Sequence, residues 1–163
     1  MEQLYTRIDN RLLHGQVVQY WIPRLKVNRL LVADDAVAGN SALPIVYRMA
    51  VPDRVAVDIA RVVDLPRALA ASPEVVTMVL LADVFDLVRA IGAGFRCPTV
   101  TLGNVHASPD RERITDAVFL SRDEQAALAL LTTRGVQVRI ETLPRERWEL
   151  VGAEREEARW LHH

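Results

Sequence analysis

An α/β domain, built on a single mostly parallel, twisted sheet of about six to seven strands with helices on both faces, is the fold this sequence predicts. Three observations lead there. Apolar strand-length runs alternate with helical runs along the chain, the order that gives right-handed crossovers and a parallel sheet. The run at 75–81 is strongly β-branched and apolar, as a central strand buried on both faces should be. Finally, 163 residues of which 50% are hydrophobic and 25% charged suit one compact domain with one core.

The elements follow in order. Residues 4–8 read as the first strand and 17–26 as an amphipathic helix, with Val18, Trp21, Ile22 and Leu25 on one face. A second strand at 29–33 ends in Asp34-Asp35, and a helix over 41–50 tolerates Pro44 only in its first turn. A third strand at 55–59 precedes a helix at 65–71. After the 75–81 strand comes a helix at 84–91, which Gly92 or Gly94 can end in a left-handed cap. Pro98 opens a fifth strand through Leu102, and a loop spans 103–113 before a short strand at 117–120. Ser121 and Glu124 have capping-box spacing for a helix at 123–133, which Gly135 ends. Residues 136–143 alternate apolar and polar, the pattern of an edge strand with one wet face. Beyond Pro144 the chain is charged, with Trp148 and Trp160 as its large apolar anchors.

Composition removes several classes of function. No apolar run approaches a membrane span, and the first residues lack the pattern of a signal peptide. The single Cys97 excludes an internal disulfide framework and a thiolate metal cluster, and reads as a small buried hydrophobe. A cytosolic protein is expected. Net charge of −1 gives no reason to expect nucleic acid as partner. Nineteen of the twenty basic residues are arginine, a bias best explained by base composition, with most of them on solvent faces.

In such folds ligands sit at the carboxyl ends of strands near a topological switch point. Arg7, Asp9, Arg11 and His14 crowd the exit of the first strand, and Gly15-Gln16 opens the first helix. A neutral imidazole is nucleophilic near pH 7. A guanidinium offers phosphate two parallel charge-assisted bonds, and the amides of a helix start add donors. Gly15 lets the backbone approach an anion, and Asp9 can orient the arginines or hold the second imidazole nitrogen. Residue chemistry alone leaves two readings open: a phosphoryl-transfer site, or an ordinary polar turn with Asp9 paired to Arg11.

The string Arg7-Ile8-Asp9-Asn10-Arg11-Leu12-Leu13-His14-Gly15-Gln16-Val17 resembles the active-site motif of the enzyme IIB component of the mannose-type (mannose/fructose/sorbose) sugar phosphotransferase system, PTS. The likeness continues in Trp21, in Leu31-Val32-Ala33-Asp34-Asp35 with Val37-Ala38, in Leu102-Gly103-Asn104, in Phe119-Leu120-Ser121 and in Arg134-Gly135-Val136-Gln137-Val138. It covers about residues 3–143, so a IIB domain at 1–143 and a charged C-terminal extension at 144–163, helical or packed, are expected. The resemblance implies a protein-phosphohistidine–sugar phosphotransferase. It would take phosphate from the histidine of a IIA partner and deliver it to a sugar carried by the membrane components IIC and IID, at the inner face of the membrane. His14 would be phosphorylated at Nδ1. Arg11 would neutralise the phosphate, Arg7 and Asp9 would arrange the site, and Gly15 and Gln16 would bind the phosphate with Arg11. Neither metal nor organic cofactor is implied, and a homo-oligomer is left open. The chain departs from the family at Ala82-Asp83-Val84-Phe85 and at Gly103-Asn104-Val105-His106, in loops that shape the partner-facing surface.

Other features carry less. Asp34, Asp35, Gly103, Asn104 and His106 are expected to line the crevice, His106 as a candidate phosphate contact. Asp34-Asp35 as a magnesium site would need a lysine at a later strand end, and the only lysine, Lys26, is elsewhere. Gly92-Ala93-Gly94 lacks a dinucleotide fingerprint, and no Walker loop exists. The rival functions are a regulatory phosphoprotein of the same fold, which signals phosphorylation state without transporting sugar, and an unrelated hydrolase or mutase using His14 as a transient acceptor.

Overall fold

The computed structural model describes residues 3–71, 75–144 and 149–151. Strand β1 (Leu4–Asp9) leads through a loop into a π-helical turn, Val17–Trp21, which continues as α1 (Ile22–Leu25). β2 (Arg29–Ala33), α2 (Asp35–Ala38), α3 (Leu43–Ala50) and β3 (Ala56–Ala60) follow, then a 3-10 turn, Val62–Asp64, and α4 (Leu65–Ala70). β4 (Thr77–Leu81), α5 (Val84–Gly92) and β5 (Thr99–Asn104) complete the middle of the chain. β6 (Arg111–Arg113), β7 (Phe119–Ser121), α6 (Arg122–Thr133), β8 (Gln137–Ile140) and β9 (Glu149–Val151) close the described part.

The main sheet runs β3-β2-β4-β1-β5-β8-β9. Its first six strands are parallel and β9 is antiparallel. The chain leaves β1 toward β2 on one side, and returns from β4 to β5 on the other. The switch point therefore falls at the carboxyl end of β1, between β4 and β5, where a crevice is forced open.

Strand alternation divides the core into two layers. On one face Leu31, Ala33, Val79, Leu81, Val100 and Leu102 meet α5 and α6 through Val84, Leu87, Leu128 and Leu131. On the other, Leu30, Val32, Met78 and Leu80 pack under Val17, Trp21 and Ile22, and under Leu12 and Leu13 of the first loop. Burying each such side chain contributes about 1.5–3 kcal/mol. Leu12 and Leu13 matter most here, because they staple the loop after β1 to the core. The loop folds as a tight turn, with the Leu12 amide donating to the Asp9 carbonyl at 2.9 Å and Leu12 itself left-handed at φ 54°. Such strain in a non-glycine residue persists where the surroundings over-determine it.

The expected α/β fold is the observed one, with local corrections. The helix expected at 17–26 begins as a π-helical turn, and Lys26 is its left-handed cap at φ 54°. The helix expected at 41–50 starts at Leu43, with Asn40 Oδ1 accepting from the Ala42 and Leu43 amides. Residues 35–38 form the separate short α2, capped by Asp34. Gly103 and Asn104 belong to β5, not to the loop, and Arg111–Arg113 pairs antiparallel with β7. That segment has no apolar residue to betray it; it is held instead by Arg111, which donates to both carboxylate oxygens of Glu124 at 3.0 and 2.7 Å. Glu124 also completes the capping box with Ser121, as expected. β8 is not an edge strand, because β9 pairs along its outer side. Gly94 ends the region after α5 at φ 104°, and Gly135 follows α6 at φ 90°. Trp148, Trp160, the run Glu154-Arg155-Glu156-Glu157 and His162-His163 lie outside the described residues.

Candidate functional site

Alternation along β1 sends Ile8 to the α5 side and Arg7 and Asp9 to the α1 side of the sheet. Both are almost wholly enclosed, at 1% and 0% exposure. The ladder to β5 slips beside them. Ile8 faces Leu102, but Asp9 faces Asn104, so Gly103 is the extra residue of a bulge. The volume its side chain would fill is occupied by Arg7, whose Cζ lies 2.0 Å from where a Cβ on Gly103 would be. Only glycine fits there.

Arg7 does not reach solvent. It donates through NH1 to the Glu141 carbonyl at 2.9 Å, through NH2 to the Thr142 carbonyl at 3.2 Å, and through Nε and NH2 to Asp9 Oδ2 at 3.3 and 3.2 Å. Its guanidinium also sits over the Trp21 ring, 4.8 Å from the centroid, while Trp21 Nε1 donates to the Thr142 carbonyl at 3.0 Å. Burial lowers the Arg7 pKa against the opposing pull of Asp9, yet a guanidinium stays charged at neutral pH. Its charge is thus spent inside the protein, on Asp9.

Asp9 is the hub. Its Oδ2 accepts from His14 Nε2 at 2.8 Å and from Asn104 Nδ2 at 2.8 Å besides Arg7, and its Oδ1 accepts the Arg11 backbone amide at 3.1 Å. Burial pushes the Asp9 carboxyl up, but the His14 hydrogen bond, the Arg7 charge and the Asn104 hydrogen bond together outweigh it. The carboxyl ends below its usual range and is ionised at neutral pH.

A carboxylate can only accept, so the His14 nitrogen facing it must carry hydrogen. In the neutral ring the remaining nitrogen, Nδ1, then holds the lone pair. Nδ1 is buried and has no hydrogen-bond partner. An unsatisfied buried acceptor costs about 1–3 kcal/mol, which a functional site can explain and a merely structural histidine would not need. The His14 side chain is 12% exposed, at the rim of the crevice.

Arg11 differs from Arg7. It is exposed, and its NH2 donates to Gln16 Oε1 at 3.0 Å. Gln16 Oε1 also accepts from Asn104 Nδ2 at 3.1 Å. A Cβ added to Gly15 would meet nothing within 4 Å; open space lies beside His14.

The site residues expected from sequence separate accordingly. Arg7, Asp9, Arg11, His14, Gln16 and Asn104 form one hydrogen-bonded group, with Gly103 beneath it. Asp34 caps α2 by accepting the Val37 amide at 2.8 Å. Asp35 accepts from Arg89 at 2.6 Å and from the Val62 amide at 2.9 Å; both aspartates serve the β2 end, and neither is hydrogen-bonded to His14. His106 is brought near through its backbone, which donates to Asn10 Oδ1 at 2.6 Å, while the residue stays exposed. Asn10 was not foreseen. Its Nδ2 donates to the Ala82 carbonyl at 2.7 Å, so it ties the loops after β4 and β5 to the loop after β1. Cys97 is buried, its thiol pushed up to about 11 by burial. Among the described residues, no helix is long and apolar enough to cross a membrane, and no group of three or more His, Cys, Asp or Glu could hold a metal ion.

Residues 4–153 match the family model described as the PTS system sorbose subfamily IIB component. The chain belongs to this family. The fructose-specific EIIB component of Bacillus subtilis (strain 168) is 28% identical over 147 residues, 88% of this chain and 90% of that one. The mannose-specific EIIAB component of Escherichia coli (strain K12) is 26% identical over 137 residues, 82% of this chain but 42% of that longer one. Among solved structures, manxB from Thermoanaerobacter tengcongensis superposes with a TM-score of 0.81 at 27% identity, covering 92% of this chain and 93% of that one. A IIB component of the mannose-type family takes part in phosphoryl transfer within a sugar PTS.

Proposed function

We propose that His14 accepts a phosphoryl group on Nδ1 from a phosphohistidine of a IIA partner, and passes it to a sugar held by IIC and IID membrane components. The observation that carries this reading is the pair of imidazole nitrogens: Nε2 engaged by Asp9 and Nδ1 buried without a partner. The Nδ1 lone pair forms the new N–P bond as the donor's N–P bond breaks. The ring keeps its Nε2 hydrogen on Asp9, whose negative charge stabilises the positive charge that builds on the imidazole. On transfer the sugar oxygen bonds to phosphorus as the Nδ1–P bond breaks, Nδ1 regains its lone pair, and the hydroxyl proton is released to solvent.

Phosphoryl transfer has a loose transition state, so its catalysis is chiefly positioning and charge neutralisation. Arg11 is the guanidinium available for that, since Arg7 is enclosed by Asp9 and two carbonyls. Its hold on Gln16 is a bond to a neutral acceptor, which a phosphate oxygen outcompetes. Arg11→Ala should slow acceptance by about 10²–10³-fold, the scale of removing one preorganised donor from a transition state. Because Arg11 is exposed, the variant should unfold at the parent's urea midpoint. Gly15→Ala is the complementary probe: a methyl in open space should leave stability unchanged or raise it by about 0.4–1 kcal/mol, while crowding the phosphoryl path and slowing transfer.

The test is reconstitution with phosphoenolpyruvate, enzyme I, HPr and a IIA protein, followed by mapping of acid-labile phosphate. Label on His14, absent from His14→Ala, is expected. Equal labelling of the variant would remove His14 from the reaction.

A further inference from the structure

Asn104 sits where β5 ends, opposite Asp9 across the bulge, and is buried. One hydrogen of its Nδ2 goes to Asp9 Oδ2 at 2.8 Å, and Gln16 Oε1 lies 3.1 Å from the same nitrogen, in reach of the other. Gln16 Oε1 accepts a second bond from Arg11 NH2 at 3.0 Å. A continuous chain therefore runs Arg11–Gln16–Asn104–Asp9–His14. Donor and acceptor chemistry fixes the orientation of both amides. Turning the Asn104 amide over would set its oxygen against both the Asp9 carboxylate and the Gln16 oxygen. Turning Gln16 over would set its NH2 against the donors of Asn104 and Arg11.

We infer that Asn104 and Gln16 are positioning residues that couple the carboxylate facing His14 to the resting place of Arg11. The inference rests on His14 being the phosphoryl acceptor. Asn104 supports the carboxylate that keeps hydrogen on Nε2, and the same amide orients the oxygen on which Arg11 waits. Gln16 holds Arg11 near the imidazole by a neutral bond, weak enough to exchange for a phosphate oxygen. An acidic side chain at position 16 would turn that rest into an ion pair and keep Arg11 from the phosphate. The helix start thus contributes a side-chain carbonyl that acts on Arg11, not a direct phosphate contact by Gln16.

Phosphoramidate tests this without any protein partner. Nδ1 attacks phosphorus, the phosphorus–nitrogen bond of the zwitterionic reagent breaks, and ammonia leaves with the bonding pair. Phosphohistidine formation is followed for the parent, Asn104→Ala and Gln16→Glu, with ¹⁵N NMR of the His14 ring in each unphosphorylated protein. The parent should show hydrogen on Nε2 and react at Nδ1. Asn104→Ala should keep hydrogen on Nε2, because Asp9 still accepts there, and react about 10–100-fold more slowly, the usual scale for losing a supporting hydrogen bond. Gln16→Glu should keep the parental tautomer and still react about tenfold more slowly, a split that general loss of structure would not produce. A parental rate in Asn104→Ala or in Gln16→Glu would overturn the coupling while leaving His14 as acceptor. If Asn104→Ala does not fold, the Gln16→Glu rate decides. A parent that takes no label on His14 would instead overturn the underlying reading, and the coupling with it.

Discussion

Asp9→Asn should lower the rate of phosphoryl acceptance at His14 by about 10³–10⁴-fold, as expected where a carboxylate that sets a catalytic histidine's tautomer is lost. The size follows from how completely Asp9 acts as an acceptor. Oδ2 receives His14, Arg7 and Asn104, and Oδ1 receives the Arg11 amide. An asparagine must point its NH2 at one of these sets of donors. If it faces the Arg11 amide, two N–H groups oppose each other and the loop after β1 shifts. If it faces His14, the ring turns to the tautomer with hydrogen on Nδ1, and the lone pair that should attack phosphorus is gone. Arg7 also loses its buried counter-charge. A single-turnover assay against a phosphorylated donor reads the rate, and circular dichroism checks that the fold persists.

The same residue has a signature in acid. The folded-state pKa of Asp9 is depressed by His14, Arg7 and Asn104 in spite of burial. A depressed carboxyl stabilises the fold in full above its unfolded pKa of about 3.9 and loses that contribution as pH falls through the lower folded value. Urea unfolding of the parent should therefore weaken from about pH 4 downward, and Asp9→Asn should lack this component of the loss.

Gly103→Ala is expected to destabilise the protein by about 3–5 kcal/mol, the cost typical of disrupting a buried charged pair. The added methyl carbon would lie 2.0 Å from both Cζ and NH2 of Arg7. Something must move, and Arg7 cannot shift without giving up its partners. One side is occupied by Trp21, the other by Asp9 and the carbonyls of Glu141 and Thr142. Displacing the guanidinium would leave a buried carboxylate without its main positive neighbour and take from the Glu141 and Thr142 carbonyls their hydrogen bonds to Arg7. The Thr142 hydroxyl, which donates to the Gly103 carbonyl at 3.0 Å, would be disturbed as well. A urea titration measures the loss. Gly15→Ala in the same experiment is the contrast: one glycine is required by a packed arginine, the other faces open space.

Much of this was legible in the residues. Hydrophobic runs reveal β2, β4 and β5 because most of their residues face one of the two core layers, and Leu4 and Ile8 mark β1. The polar cluster Arg7, Asp9, Arg11 and His14 announces itself by following such a strand directly. What periodicity cannot see is pairing made by charge. β6, Arg111–Arg113, has no apolar residue and rests on Glu124; the role of β8 as an inner strand depends on β9, a three-residue strand in the charged stretch that follows. Within the site, the division of labour between Arg7 and Arg11 was only partly visible. Both are arginines near one histidine, and only the alternation of β1, with a glycine bulge on β5, buries the first and exposes the second. Asn104 and Gly103 looked like loop residues because the bulge extends β5 beyond its apolar run. Asn10 stands in the motif, but its bridging role left no signal, since its bonds to Ala82 and His106 join three loops that the sequence separates widely. Arg7 and Arg29 also depart from the expectation of arginines on solvent faces: both are buried, Arg29 against Asp58 at 2.6 Å.

The nitrogen that takes the phosphoryl group is the point on which everything else depends. The phosphorylated protein, made with phosphoenolpyruvate, enzyme I, HPr and a IIA protein and labelled with ¹⁵N in histidine, should show phosphorus–nitrogen coupling at a single His14 nitrogen. That nitrogen should be Nδ1, with Nε2 still bearing its hydrogen. Phosphorus on Nε2, or on any residue other than His14, would contradict the arrangement in which Asp9 holds one side of the ring and leaves the other to react.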